Sequence, residues 1–387
     1  MTTHVLLAPD KFKGSLTASA VAAHLAAGLR RALPDVEVDE LPVADGGEGT
    51  VEAALAAGFT AVELSATGPL GEPVRTRYAV DGTTAVIEMA AVTGLEMVRP
   101  DDATARRATS RGLGELVHHA LMRGARTVVI GVGGSASTDG GSGMLAALGA
   151  RLTGPDGELP DGGGALVDLA DVDLSGLHPK LASTTIILAS DVDNPLLGEH
   201  GAAAVYGPQK GADAAAVTDL EHGLTRWVDA LARAGATGAR EHAAATGAGA
   251  AGGVGYACLL IGAERRAGVE VVLDLTGFDR RLDGVDLVIT GEGSLDRQSL
   301  HGKTPVGVAE AAATHAVPTV AVCGRTTLDA DELTGAGIEA VYALTDVEPD
   351  VARCIAEAGP LLERLAERIV ADRFSARTAV RHAEGAQ

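Results

Sequence analysis

Short runs of β-branched and aliphatic residues, each followed by a polar, glycine-bearing loop and then an alanine-rich stretch of helical length, recur at both ends of this chain. Such alternation is the pattern of βαβ units, in which parallel strands are joined by helices that cover the sheet. Near the N-terminus the strands read as His4 to Ala8 and Val36 to Leu41, with a helix from about Leu16 to Leu33 between them. Towards the C-terminus they read as Val285 to Thr290, Thr319 to Cys323 and Ala340 to Leu344, and a long helix closes the chain from about Val351. The middle has another character. Residues Val62 to Val80 alternate apolar and polar around GPLGEP, and Thr84 to Met89 follows Asp81-Gly82, a hairpin signal. Strands at Thr127 to Val132 and Thr185 to Ala189 come later. The expected fold is α/β in two domains: a parallel-sheet domain split in sequence, residues 1–60 plus 284–387, and a mixed α/β domain inserted at 61–283.

Composition supports two cores. At 387 residues and 46% apolar content the chain exceeds an average domain. Aromatics are only 2%, so packing falls to Ala, Val and Leu, whose small side chains let helices and strands approach closely. A net charge of −21, with acidic residues spread along the chain, argues against a nucleic-acid partner, because phosphate backbones call for clustered Lys and Arg. Any anionic ligand must then be caught by a few local cations and backbone N–H groups. Cys258, Cys323 and Cys354 are isolated and show no CxxC spacing, which points to a reducing compartment. The opening MTTHVLLAPDKFKG lacks a basic flank before a long apolar run, and the stretch from Gly247 to Ala263 falls short of the roughly 20 residues a membrane span needs. A cytoplasmic protein with no membrane partner is the expectation.

Ligands of open α/β sheets collect where strands end and loops enter helix N-termini, since unpaired N–H groups and the helix dipole favour anions there. Five loops have that position. APDKFKGS places Asp10, Lys11, Lys13 and Ser15 directly after the first strand; the lysines can neutralise a carboxylate or a phosphate, or the segment is a solvated turn with Ser15 capping the next helix. ADGGEGT sets Asp45 and Glu48 among three glycines, so that the backbone can approach a ligand while the carboxylates bind a hydroxyl or a metal; a tight turn is the alternative. GVGGSASTDGGSG frees the backbone through six glycines, Gly133, Gly134 and Gly140 among them, and supplies Ser135, Ser137, Thr138 and Asp139, a composition suited to cradling phosphates; a purely structural linker, for which so much glycine would be wasteful, is the alternative. ASDVDNPLLG offers Asp191, Asp193 and Asn194 as hard oxygen ligands for Mg²⁺; one aspartate can instead accept the proton of an attacking hydroxyl, or the loop is a plain turn before Pro195. TGEGSLDRQSLHGKTP gathers Glu292, Asp296, Gln298, His301 and Lys303. Outside these five, GPQKGA at 207–212 adds Gln209 and Lys210 as an anion clamp or a surface turn.

Other motifs fail on spacing. Gly302-Lys303-Thr304 is not a P-loop, because that motif needs a glycine where this chain has Arg297. GAGAAG at 247–252 matches G-x-G-x-x-G as a string, but no clear strand precedes it, and it reads as close packing. The absence of HExxH, paired CxxC and G-x-S-x-G argues against zinc peptidases and serine hydrolases.

Taken in order, APDKFKGSL, LPVADGGEGT, GVGGSASTDGG, ASDVDNPL, GPQKGA and ITGEGSLDRQSLHGKTP resemble the motifs of bacterial type I glycerate kinases. Shorter matches, TGPLG at 67–71 and IEMA at 87–90, lie between them, and the resemblance runs to about residue 345. It implies transfer of the γ-phosphoryl group of ATP, with Mg²⁺, to the small-molecule substrate D-glycerate, mostly at the 2-hydroxyl to give 2-phosphoglycerate. It also implies that the split domain is Rossmann-like and that the active site lies in the cleft between the two domains. On residue chemistry and the resemblance together, the nucleotide falls to Gly133, Gly134, Ser135, Ser137, Thr138, Asp139, Gly140 and Glu292, and Mg²⁺ to Asp191 and Asp193. The substrate falls to Asp10, Lys13, Ser15, Asp45, Glu48, Gln209 and Lys210. Catalysis falls to Lys11, Asp191, Asp296 and Lys303, with Asp296 as general base and Lys303 on the transferring group. A kinase for a larger sugar acid, a sugar-acid sensor and an NAD-linked oxidoreductase are the rival readings. The regiochemistry and the oligomeric state, a homo-oligomer included, stay open.

Overall fold

The computed structural model describes residues 2–300 and 302–384, with side chains as far as Phe374. The chain forms two compact units, one made of the residues up to Asp45 and from Val269 on, the other of Gly46–Gly268. This division differs from the expected 60/61 and 283/284 for packing reasons. Helix Thr50–Ala56 lies on strands Pro73–Asp81 and Thr84–Glu88 of the inserted unit. Val269 packs instead on Gly307, where an added Cβ would come within 2.4 Å of the valine methyl.

Five parallel strands make the sheet of the first unit, in the spatial order Ala340–Ala343, Thr319–Thr326, Leu287–Leu295, His4–Pro9, Glu37–Glu40. Numbered within the unit this is the doubly wound order 2-1-3-4-5, and it reverses between His4–Pro9 and Leu287–Leu295. Pairing between those two strands stops at Gly291, yet Leu287–Leu295 continues beside Thr319–Thr326 as far as Leu295. The strand expected to end at Thr290 therefore overhangs its neighbour and carries Glu292 outward. Helix Ala18–Ala32 begins at Thr17, whose hydroxyl accepts the Ala20 N–H at 3.2 Å. Ser15 does not cap it, because its hydroxyl donates to the Ile355 carbonyl at 2.6 Å.

One face of this sheet is covered by helices Ala18–Ala32 and Ala358–Glu384, which bury Leu25, Leu29, Leu362, Leu365 and Ile369 with Val5 and Leu7. Each fully buried leucine contributes roughly 1.5–3 kcal/mol. The two helices touch at Gly28, where a Cβ would lie 2.4 Å from the Glu363 carbonyl oxygen. Helices Thr304–Thr314 and Ala330–Gly335 cover the other face through Val306, Ala309 and Leu333. The closing stretch, expected as one helix, is two, Val351–Ala356 and Ala358–Glu384.

The inserted unit is built on a six-stranded mixed sheet, in the order Glu264–Arg266, Thr185–Ala189, Thr127–Gly131, Thr84–Glu88, Pro73–Asp81, Thr60–Thr67. The first four run parallel and the last two antiparallel, as the alternating stretch and its Asp81-Gly82 turn imply. A small antiparallel sheet of Arg151–Gly154, Gly157–Glu158 and Asp171–Asp173 is added. The core of this unit includes Trp227, Tyr78 and Tyr256, together with alanines such as Ala85, Ala120 and Ala257. All three cysteines are buried free thiols. Among the described residues, no helix is long and apolar enough to cross a membrane.

Candidate active site

In the first unit, the topology brings acidic and cationic loops to the carboxyl ends of the strands at the switch point. The Asp10 N–H donates to the Gly291 carbonyl at 2.8 Å, tying the end of the first strand to its neighbour. The Asp10 carboxyl accepts the Lys11 N–H at 2.6 Å and the Thr304 hydroxyl at 3.1 Å. Phe12 and Leu16 then close a short bridge around Gly14, and this turn rests on Gly293, where a Cβ would be 3.3 Å from the Lys13 nitrogen. Lys13 is exposed, whereas Lys11 and Ser15 are half-buried.

Glu292, on the overhang, accepts a short hydrogen bond from the Ser299 hydroxyl. Burial raises its carboxyl above the usual range, opposed by that bond and by Lys303, while Asp296 and Asp45 push it further up. Asp45, Asp296 and Lys303 therefore act electrostatically on one carboxylate. Asp296 closes its own turn: its Oδ1 accepts the Gln298 N–H at 2.8 Å. Lys303 is the N-cap residue of helix Thr304–Thr314. His301 lies outside the described residues.

The glycine-rich loop of the inserted unit leaves strand Thr127–Gly131 and enters helix Ser142–Ala147. Its outward part is Gly133–Gly134; Ser135, Ser137, Thr138, Asp139 and Gly140 are buried. A Cβ at Gly133 would lie 2.6 Å from the Gly47 Cα, so the ADGGEGT loop packs backbone to backbone against it. Asp139 is 0% exposed, and its carboxylate accepts the Ser110 N–H and hydroxyl, both at 2.8 Å, the Gly141 N–H at 3.1 Å and the Gly143 N–H at 3.3 Å. Burial raises this carboxyl, and those hydrogen bonds oppose the rise. Lys210, 2% exposed, donates to the Ser135 hydroxyl at 3.0 Å and the Ser137 carbonyl at 2.6 Å. Burial pulls its ammonium down to about 7, and nearby Asp139 counteracts this. The two charged residues thus hold the loop from behind. Gln209, beside Lys210, is exposed, and so is Glu48.

Asp191 and Asp193 follow strand Thr185–Ala189. Asp191 accepts the Gly268 N–H at 2.9 Å, and exposed Asp193 pairs with Arg265 at 2.6 Å. Asn194 is fixed by Tyr206 and the His200 carbonyl, which makes it a turn residue. Among the described residues, no group of three His, Cys, Asp or Glu forms a metal cluster. Mg²⁺ usually needs only one or two protein carboxylates beside phosphate and water oxygens, so the hard oxygens of Asp191 suit it. The GAGAAG string has no strand before it; it is a turn with Ala251 and Gly252 at positive φ, packed on Ser137 and Thr138.

Several supporting groups escape sequence reasoning. Buried Glu88 ends strand Thr84–Glu88 and accepts the Gly49 and Val51 N–H groups at 3.1 and 3.2 Å, fixing the ADGGEGT loop. Its signals in the sequence were a lone acid in the apolar run TAVIEMA and the short IEMA match at 87–90, neither of which assigns it a role. Trp227 donates its indole N–H to the Gly140 carbonyl at 3.0 Å. Ser110 partners Asp139 and Thr304 partners Asp10 from distant positions, whereas Ser299 partners Glu292 from within the same loop.

A doubly wound unit with lysines and carboxylates at its switch point, and a second unit with a braced glycine loop at a strand end, suit an enzyme that handles anionic, phosphate-bearing ligands. Comparison with known proteins narrows this to one family. The model of the glycerate kinase family matches residues 5–373. Glycerate kinase of Bacillus subtilis is 42% identical, with 97% of this chain and 98% of that protein aligned, and glycerate 2-kinase of Escherichia coli is 44% identical, with 88% and 90% aligned. A crystal structure from Salmonella typhimurium LT2, assigned as a glycerate kinase 2, superposes with a TM-score of 0.82 at 40% identity, covering 98% of this chain and all of that one. The chain belongs to the glycerate kinase family, and it is a kinase.

Proposed function

We propose that this kinase transfers the γ-phosphoryl group of ATP to the 2-hydroxyl of D-glycerate, giving 2-phosphoglycerate and ADP, in the cleft between the two domains. The observation that carries the position of transfer is the 44% identity, over 88% of the chain, to the relative named glycerate 2-kinase. Phosphoryl transfer asks a protein for alignment and charge neutralisation more than for covalent chemistry. Gly133–Gly134, the outward part of the glycine loop, takes the nucleotide phosphates. Asp191 holds Mg²⁺, with Asp193 beside it; the ion supplies neutralisation of phosphate charge. Lys11 and Lys13 bind the glycerate carboxylate, a carboxylate of the first unit's loops receives the hydroxyl proton, and Lys303 steadies the transferring group. Phosphorus NMR of the products from ATP, Mg²⁺ and D-glycerate tests the reading. A 2-phosphoglycerate signal supports it, a 3-phosphoglycerate signal moves the transfer to the other hydroxyl, and no transfer overturns it.

Two further outcomes follow at the ends of the reacting pair. Lys11→Ala removes a charge-assisted contact worth roughly 1.5–3 kcal/mol, so the KM for glycerate should rise about 10- to 100-fold. A rise confined to the KM for ATP would exchange the substrate and nucleotide sides. The single tryptophan of the chain, Trp227, touches the loop assigned to phosphate. Titration with ATP should therefore change its emission, and a constant spectrum would detach that loop from the nucleotide.

A further inference from the structure

Asp10 and Asp296 differ in how the fold uses them. Asp296 is engaged by its own turn: beyond the Gln298 contact, its N–H donates to the Ser299 hydroxyl at 3.1 Å and its carbonyl accepts the Ser299 N–H at 2.9 Å. Asp10 stands at the carboxyl end of the strand where the sheet order reverses, the position at which doubly wound folds bind ligands. It is anchored through Gly291 on one neighbouring strand and through Thr304 on the helix that follows the overhang. The charged groups that act on it are Asp45, which opposes its ionisation, and Lys11, which favours it.

Resting on the kinase reading above, we propose that Asp10, rather than Asp296, is the general base. Its carboxylate takes the proton of the attacking hydroxyl as that oxygen bonds to the γ-phosphorus. The bond from the γ-phosphorus to the bridging oxygen breaks, and ADP leaves with that electron pair. The proton stays on Asp10 until it is lost to water after product release.

Burial, followed by Asp45, raises the Asp10 carboxyl to about 7. A base poised there is matched to its task, and it must be ionised to act. Activity should therefore rise with pH through about 7, well above the limb near 4 that an ordinary carboxylate gives. The sign for stability is opposite. A folded-state value above the unfolded one stabilises the fold below the unfolded value of about 3.8, and that contribution is lost as pH rises through about 7. At pH 8 the ionised Asp10 is a burden on the fold. Neutral asparagine relieves it, so turnover and stability should move in opposite directions, whereas loss of a structural carboxylate would lower both.

The test uses full-length wild type, Asp10→Asn and Asp296→Asn, with glycerate-dependent ADP release followed from pH 5.5 to 9 and urea unfolding at pH 8. Asp10→Asn should lower kcat by about 100-fold or more and leave the urea midpoint unchanged or higher. Asp296→Asn should lower kcat less and leave the acidic limb in place. The proposal is overturned if Asp10→Asn keeps kcat within tenfold of wild type, or if the limb disappears in Asp296→Asn instead. A wild type that releases no ADP overturns the kinase reading itself, and this proposal with it. Should Asp10→Asn fail to fold, Thr304→Val carries the test: removing the hydroxyl that stabilises the ionised carboxylate should move the limb upward, and an unmoved limb overturns the proposal.

Discussion

Asp139→Ala should destabilise the inserted unit by about 3–5 kcal/mol, the scale of a broken buried polar network. The carboxylate satisfies three backbone N–H groups and the Ser110 hydroxyl inside a region closed to water. Each buried donor left without a partner costs roughly 1–3 kcal/mol. Relief from burying a carboxylate works the other way, as its raised titration shows, but four donors and the nearby Lys210 ammonium outweigh it. Urea unfolding followed by Trp227 emission reads this unit directly, because the indole sits on Gly140 of the same loop. With an m-value of about 3 kcal/mol/M, the midpoint should fall by roughly 1–1.7 M. Asp139→Asn, which keeps one acceptor oxygen, should lose less. A midpoint within a few tenths molar of wild type for the alanine variant would remove the network from the account of this loop.

Gly252→Ala should impair both folding and nucleotide binding. The residue has φ +66°, and its Cβ would lie 2.0 Å from the Ser137 carbonyl oxygen, so the added methyl meets strain and a clash together. Overpacking costs typically 1–3 kcal/mol and left-handed backbone about 1–2 kcal/mol more for an L side chain. The displaced group is the carbonyl that accepts from Lys210 at 2.6 Å, which carries the disturbance into the glycine loop. The expected result is a KM for ATP raised tenfold or more at a temperature where the variant is still folded. Unchanged ATP kinetics in a destabilised variant would confine the role of Gly252 to packing.

The two effects share a reason for having been hard to see in the sequence. GAGAAG could be read only as close packing, and what it packs against, Ser137 and Thr138, lies more than a hundred positions away in the chain. Asp139 and Lys210 were legible as charges in glycine-rich settings; that they face inward depends on Ser110 and Ser135, which only the folded chain brings alongside. Local chemistry was more readable. The βαβ alternation, the antiparallel stretch around Asp81-Gly82 and the loops after His4–Pro9, Thr127–Gly131 and Thr185–Ala189 all correspond to elements of the fold. Strand ends were less so: Gly291 and Gly293 weaken the β pattern, and only pairing with Thr319–Thr326 carries the strand on to Leu295. Thr17 rather than Ser15 starts the first helix because Ser15 is drawn to Ile355, another distant partner.

The seam at Gly28 has a consequence for how the protein is made. The first helix is sealed by the last one, so a segment that leaves the ribosome ahead of the inserted unit finishes folding only after helix Ala358–Glu384 has been made. Strands His4–Pro9 and Glu37–Glu40 form no complete sheet until Leu287–Leu295 and Thr319–Thr326 have been synthesised, while all strands of the inserted unit are already out. At roughly 5–20 residues per second, Leu25 and Leu29 wait for some tens of seconds without Leu362 and Leu365 to cover them. During translation the N-terminal segment thus exposes apolar surface that a chaperone can shield.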